Sequence, residues 1–282
     1  MRWYHILLMG VLTFCWIWAL PLLLVGFFFS IPACLVILPT CVLISIGFQW
    51  KYHGRLIASS WLRRTISKIP WHQWFPCNVL DVPTTPSILS VHPHGVLCCG
   101  AIAGIHLVPE SQTLFCVAPI LFYVPVLGWI ARLLGCISAD YNSMKSAIEQ
   151  GYPLLIVPGG VPELVMAERC DDTALFIKKR FGFLKLAIET QVPLFPIFSK
   201  GETSTYRLVN APLLEWRVWL SWKLNVPVVF PWFRGWYNLW LPRRVPIQLV
   251  CGSFLKTQIK YNRNSLQTFK KHYVKELRRT II

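Results

Sequence analysis

At 282 residues the chain is long enough to bury a substantial core, and 55% of it is hydrophobic against only 14% charged. Soluble domains carry about 25% charged residues, so the composition excludes an ordinary soluble or disordered protein and points to lipid contact. The net charge of +16 is spread along the chain and is not confined to one tail. Either nucleic acid or an anionic membrane surface suits such a charge. Tryptophans and tyrosines beside lysines and arginines at 216–222 and 230–240 favour the membrane, and no nucleic-acid partner is expected. The ten cysteines form no secreted framework and no CxxC pair, as expected of small core or lipid-facing residues in a reducing compartment.

The first element is a long apolar run. Ile6–Trp50 contains no Asp, Glu, Lys or Arg, which is enough for two spans of about 20 residues each. Pro21, Pro32 and Pro39 interrupt it, with the natural bend near Gly26–Pro32. Arg2 precedes the run, and Lys51, Arg55, Arg63, Arg64 and Lys68 follow it. A membrane hairpin over 1–50 with both flanks on the cytosolic side is therefore expected; a single span is the alternative. The run is too long for a cleaved signal peptide.

Residues 51–85 are basic and aromatic and read as a membrane-surface connector. The remainder, 86–282, reads as one domain. Short β-like runs at 87–91, 113–118, 153–157 and 193–199 alternate with helical stretches. Ser143–Gln150 reads as a short helix, with Asn142 as N-cap and Gly151 as its stop. Lys178–Thr190 reads as another, with Phe181, Leu184, Ala187 and Ile188 on one face. This alternation predicts an α/β sandwich with a largely parallel sheet. Residues 203–244 carry many Trp and Pro and read as a membrane-resting cap or substrate-channel segment.

Two motifs directly follow strand candidates, where parallel sheets bind ligands. The first is His92-Pro93-His94-Gly95. Pro93 restricts both itself and His92, so the two rings leave the turn in defined directions, while Gly95 permits a bend or a close approach. By itself the motif is also consistent with a tight turn holding one histidine in a local hydrogen bond. The second is Val157-Pro158-Gly159-Gly160, whose glycine amides could hold a phosphate or an oxyanion, followed by Glu163. That carboxylate could orient a histidine or favour a helix start. Arg180 and Lys185 could meet anionic phosphates, or could form an ordinary solvated helix face. His92 and His94 are joined by no further ligand cluster, so no metal is expected.

Together these residues resemble the diacylglycerol/monoacylglycerol acyltransferase family, which includes wax-ester and retinol-esterifying members. The likeness runs from the apolar hairpin through Trp74-Phe75-Pro76 and the His-Pro-His-Gly motif. It continues through Pro158-Gly159-Gly160 with Glu163, then Arg180-x-Gly182-Phe183 and Gly201-Glu202. Phe233-Arg234-Gly235, Val245-Pro246-Ile247 and His272-Tyr273-Val274-x-x-Leu277 resemble later blocks. The chain departs from the family at Lys200, where an aromatic is usual, and over 203–232. The resemblance implies a glycerolipid-acyltransferase-like sandwich at the endoplasmic reticulum membrane, its catalytic domain facing the cytosol, with the lipid droplet surface as a further location. It implies transfer of an acyl group from acyl-CoA, a substrate and not a cofactor, to a mono- or diacylglycerol hydroxyl, giving neutral storage lipid such as triacylglycerol. Other lipid alcohols, a lysophospholipid acceptor and an inactive lipid-binding descendant are the alternatives. Membrane lipids and other copies of the chain are the remaining expected partners. By the same implication His94 is the base, His92 supports it and Glu163 orients it. Pro93, Gly95, Gly159, Gly160, Arg180, Gly182, Phe183, Lys185 and Glu202 contact substrate. Related acyltransferases place an Asp five residues after the base, where this chain has Cys99.

Overall fold

The computed structural model describes residues 60–68, 76–108, 111–123, 127–160, 163, 181–208, 213–224, 233–234, 242–257 and 261–281. The expected hairpin over 1–50, much of the connector, and Arg180 lie outside them. Among the described residues no helix is long and apolar enough to cross a membrane.

The apolar runs form strands β1 (Ile88–His92), β2 (Leu114–Val117), β3 (Cys136–Ser138), β4 (Leu154–Ile156) and β5 (Leu194–Lys200). Two residues each, Arg207–Leu208 (β6) and Phe233–Arg234 (β7), pair in a separate antiparallel ladder. Gln248–Cys251 (β8) completes a six-stranded sheet of order β3-β2-β4-β1-β5-β8. β1 to β5 are mutually parallel, and β8 runs antiparallel to β5 at the edge. β1, β2 and β4 are buried along their whole length, which is why they read as unbroken apolar runs without alternation. The expected mixed α/β architecture with a largely parallel sheet is present. β3 and β8, short and only partly buried, had no such run to announce them.

The helices are α1 (Ser60–Ser67), α2 (Leu127–Leu133), α3 (Tyr141–Glu149), α4 (Gly182–Thr190), α5 (Leu214–Leu224) and α6 (Arg263–Ile281). α3 starts earlier than Ser143, and its N-cap is Asp140 and not Asn142. The Asp140 carboxylate accepts the Ser143 amide at 2.9 Å, while Asn142 lies within the helix. α4 buries Leu184, Ala187 and Ile188 as expected, with Phe181 packed against the same cluster.

Strand side chains alternate between two apolar layers. On one side Ile88, Leu114, Leu154 and Leu194 meet α3, α4 and α6 through Ala147, Ile148, Leu184, Phe269, Tyr273 and Leu277. On the other, Leu89, Val91, Phe115, Leu155 and Ile197 meet Cys98, Ala101 and Ile105 from the short helical segment after β1. In β1, Ser90 and His92 share Ile88's face. Period-two geometry therefore turns the final residue of a buried strand toward α6.

Candidate active site

β1 sits in the middle of the sheet, and β4 and β5 flank it. The three segments that leave these neighbouring carboxyl ends carry the His-Pro-His-Gly turn, the glycine pair with Glu163, and Gly201-Glu202. Parallel topology thus gathers motifs that lie far apart in the sequence.

The His92 ring is wholly buried. Its Nδ1 lies 3.3 Å from Glu163 Oε1, and its Nε2 lies 3.0 Å from the Tyr273 hydroxyl on α6. The other Glu163 oxygen, Oε2, accepts the His94 backbone amide at 2.9 Å. One buried carboxylate therefore holds the ring of the first histidine and the main chain of the second. This differs from the expectation that Glu163 would orient the His94 ring. The cause is geometric: strand alternation turns His92 to the Ile88 face, where its Nδ1 meets Glu163, and the His94 ring turns to the Gly95 carbonyl. A Cβ on Gly159 would sit 1.7 Å from Glu163 Oε2, so glycine is required there to admit the carboxylate. Gly160 donates its amide to the Val157 carbonyl at 3.2 Å, which removes one of the two oxyanion donors expected of the pair.

His94 is half-buried, and its Nδ1 lies 2.8 Å from the Gly95 carbonyl. A carbonyl only accepts, so Nδ1 carries the hydrogen and the lone pair of the neutral ring is on Nε2. The local hydrogen bond expected of a tight turn exists, and it also fixes the tautomer a base needs. The Cys98 thiol lies 3.5 Å from the same Nδ1. Burial, then the Glu202 and Glu163 charges, push that thiol well above its ordinary pKa, so it stays protonated.

Glu202 is also fully buried. It accepts the amides of Cys99 at 2.6 Å and Gly100 at 2.9 Å, together with the Ser199 hydroxyl at 2.8 Å. It therefore braces the segment after His94 from beneath and lies against the turn, not at a surface a substrate could reach. Gly95, at φ +55°, lies so close to Glu202 that a Cβ would meet its Cγ at 2.7 Å. Pro93 is buried between the two histidines. Cys99, where related enzymes have an Asp, contributes its amide to this brace.

The remaining described substrate contacts expected from the sequence, Gly182, Phe183 and Lys185, lie on α4. Lys185 is 3.7 Å from Glu189 across one helical turn and lies over the Tyr141 and Tyr261 rings. Tyr141 in turn donates to Glu189. Phe183 is core, edge-on to Tyr273 at 5.3 Å between centroids. Gly182 is exposed at the start of α4. Two residues were not foreseen in the site, Ser90 and Tyr273, whose hydroxyls are 3.0 Å apart. The available signal was Ser90's place two residues before His92 on the same strand face; nothing local marked Tyr273 as its partner.

A family model described as diacylglycerol acyltransferase matches residues 27–281. Diacylglycerol O-acyltransferase 1 of Eremothecium gossypii is 30% identical over 218 residues, covering 70% of this chain and 47% of that protein. Human 2-acylglycerol O-acyltransferase 3 is 29% identical, covering 69% of this chain and 63% of that protein. The chain therefore spans about half to two thirds of these relatives' lengths. Bovine 2-acylglycerol O-acyltransferase 1 is 30% identical over 259 residues, with 82% of this chain and 76% of that protein covered. Among solved structures, the 1-acyl-sn-glycerophosphate acyltransferase of Thermotoga maritima is 15% identical with a TM-score of 0.49, covering 92% of this chain and 93% of that one.

Proposed function

The chain belongs to the diacylglycerol acyltransferase family, and from that premise we propose that it transfers a fatty acyl group from acyl-CoA to the hydroxyl of an acylglycerol at a membrane surface. The observation that carries this reading is the pinned tautomer of His94, on a braced turn at the carboxyl edge of the sheet. Nε2 takes the hydroxyl proton as the acceptor oxygen attacks the thioester carbonyl. The new C–O bond forms, the C–S bond breaks, and the proton passes from His94 to the departing CoA sulfur. His94 thus returns to its starting state each cycle. Ester product and free CoA are neutral in protons overall.

The names of the relatives support acylglycerol as acceptor class, and the half-buried position of His94 suits a lipid alcohol arriving from one side and a water-borne thioester from the other. The apolar segment 6–50 and the aromatic, basic stretches at 216–222 and 230–240 of the sequence support residence on the endoplasmic reticulum membrane with the site on the cytosolic face. Lipid droplets are a second surface of the same chemistry.

The test is direct. Membranes containing the full chain are given labelled acyl-CoA with monoacylglycerol, diacylglycerol, long-chain alcohol or lysophospholipid, and the product classes are separated. Labelled di- or triacylglycerol is expected. Label found only in wax ester or phospholipid would reassign the acceptor, and no label in any class would overturn the reading.

A further inference from the structure

We propose that Tyr273 is a positioning residue of this site: its hydroxyl fixes the His92 ring, and through His92 and Glu163 it sets the main chain that carries His94. The inference rests on the reading of His94 as the base.

The argument starts from a backbone carbonyl. Phe195 O can only accept, and Ser90 donates to it at 3.2 Å. Ser90 Oγ, its hydrogen committed, accepts from Tyr273 at 3.0 Å. The phenol oxygen in turn accepts from His92, so the His92 hydrogen sits on Nε2. Nδ1 then faces Glu163 Oε1 at 3.3 Å. The donors therefore run one way from His92 to the Phe195 carbonyl, and Glu163, beside Nδ1, accepts the His94 amide at Oε2. Burial pushes the Tyr273 phenol well above its ordinary pKa, so its hydrogen is retained throughout the physiological range.

Packing makes the row stiff. Tyr273 is wholly buried, with Phe183 edge-on against its ring and Phe269 and Leu277 in the same apolar layer. No other hydroxyl reaches His92 among the described hydrogen bonds. Without the phenol oxygen Nε2 loses its partner, the His92 ring can turn, and the carboxylate that meets its Nδ1 can shift off the His94 amide. A small displacement of a base costs rate but leaves substrate affinity nearly untouched.

In membranes containing the full chain, Tyr273→Phe should lower kcat about tenfold, the worth of roughly one buried hydrogen bond, with the apparent KM for acyl-CoA unchanged. Leu249→Ala, a core change in the apolar layer on the other side of the sheet, should lower thermal stability but keep kcat. In a His92→Gln background Tyr273→Phe should cost less than about twofold more, because the route through His92 is already cut. A Tyr273→Phe enzyme within about twofold of wild type, or a loss undiminished in that background, overturns the proposal. A readout independent of acyl transfer is deuterium exchange at the His92 ring Cε1–H, followed by mass spectrometry. Tyr273→Phe should accelerate it several-fold, and an unchanged rate overturns the proposal. An inactive wild-type chain with accelerated exchange would count against the function and leave the positioning role standing.

Discussion

His94 and His92 are one residue apart and have different environments. His94 keeps one face toward solvent and has its Nδ1 hydrogen assigned by its neighbour's carbonyl; His92 is sealed between a carboxylate and a phenol. General-base catalysis contributes about 10²–10⁴-fold, so His94→Gln should lower kcat by that range in correctly inserted protein while acyl-CoA affinity is kept. Near-normal turnover would remove the assignment. Cys98 is the one thiol within reach of the His94 ring in the described hydrogen bonds, and a covalent acyl-cysteine route would use it. Burial first, and the two nearby carboxylates after it, keep that thiol protonated, which opposes such a route. Cys98→Ala should therefore retain turnover within about threefold, with no burst of acylated protein on mixing with labelled acyl-CoA.

At the level of elements, two carboxylates brace helix starts, with different exposure. Glu202 serves the short segment after His94 from a fully buried position, and Asp140 caps α3 near the surface. Burial pushes the Asp140 carboxyl up, but hydrogen bonds from Ser143 and Ser138 outweigh that and hold it below its ordinary 3.8. A lowered folded-state pKa means that the cap's full stabilisation is present above the ordinary value and is lost as pH falls on through the lowered folded-state value. Asp140→Ala should lower the unfolding temperature by about 2 °C at pH 7, a cap being worth about 1 kcal/mol. The difference from wild type should shrink below about pH 4 as both carboxyl states converge. A difference constant down to pH 3 would show that the loss is not of a charged cap. The same region shows what was legible in the sequence. Four buried strands could be read from their apolar runs, and β3 and β8 could not, because edge and half-buried strands mix polar residues into too few positions. Asn142 and Asp140 both have capping side chains, and only the backbone's path at 140 decides between them. Glu163's residue type and neighbourhood were legible; its choice of His92's ring over His94's depended on which sheet face each histidine occupied. Tyr273's role required the docking of α6.

For the whole molecule, the sheet brings His92 and His94 to one edge, and the chain carries a net charge of +16. The detergent-solubilised full chain should bind vesicles containing anionic lipid more tightly than neutral ones. Binding should weaken as salt rises from about 0.05 to 0.5 M, because the screening length contracts below the spacing of surface charges. Equal, salt-independent binding to both would place attachment on the apolar 6–50 segment alone. One contact also orders events in time. Tyr273 follows His92 by 181 positions. At about 5–20 residues per second, the ribosome makes that partner on the order of tens of seconds after His92. Throughout that interval the His92 row lacks one member. A chain arrested before 273 is therefore without its completed hydrogen-bond row, and the His92 Nε2 lacks this partner until α6 has docked.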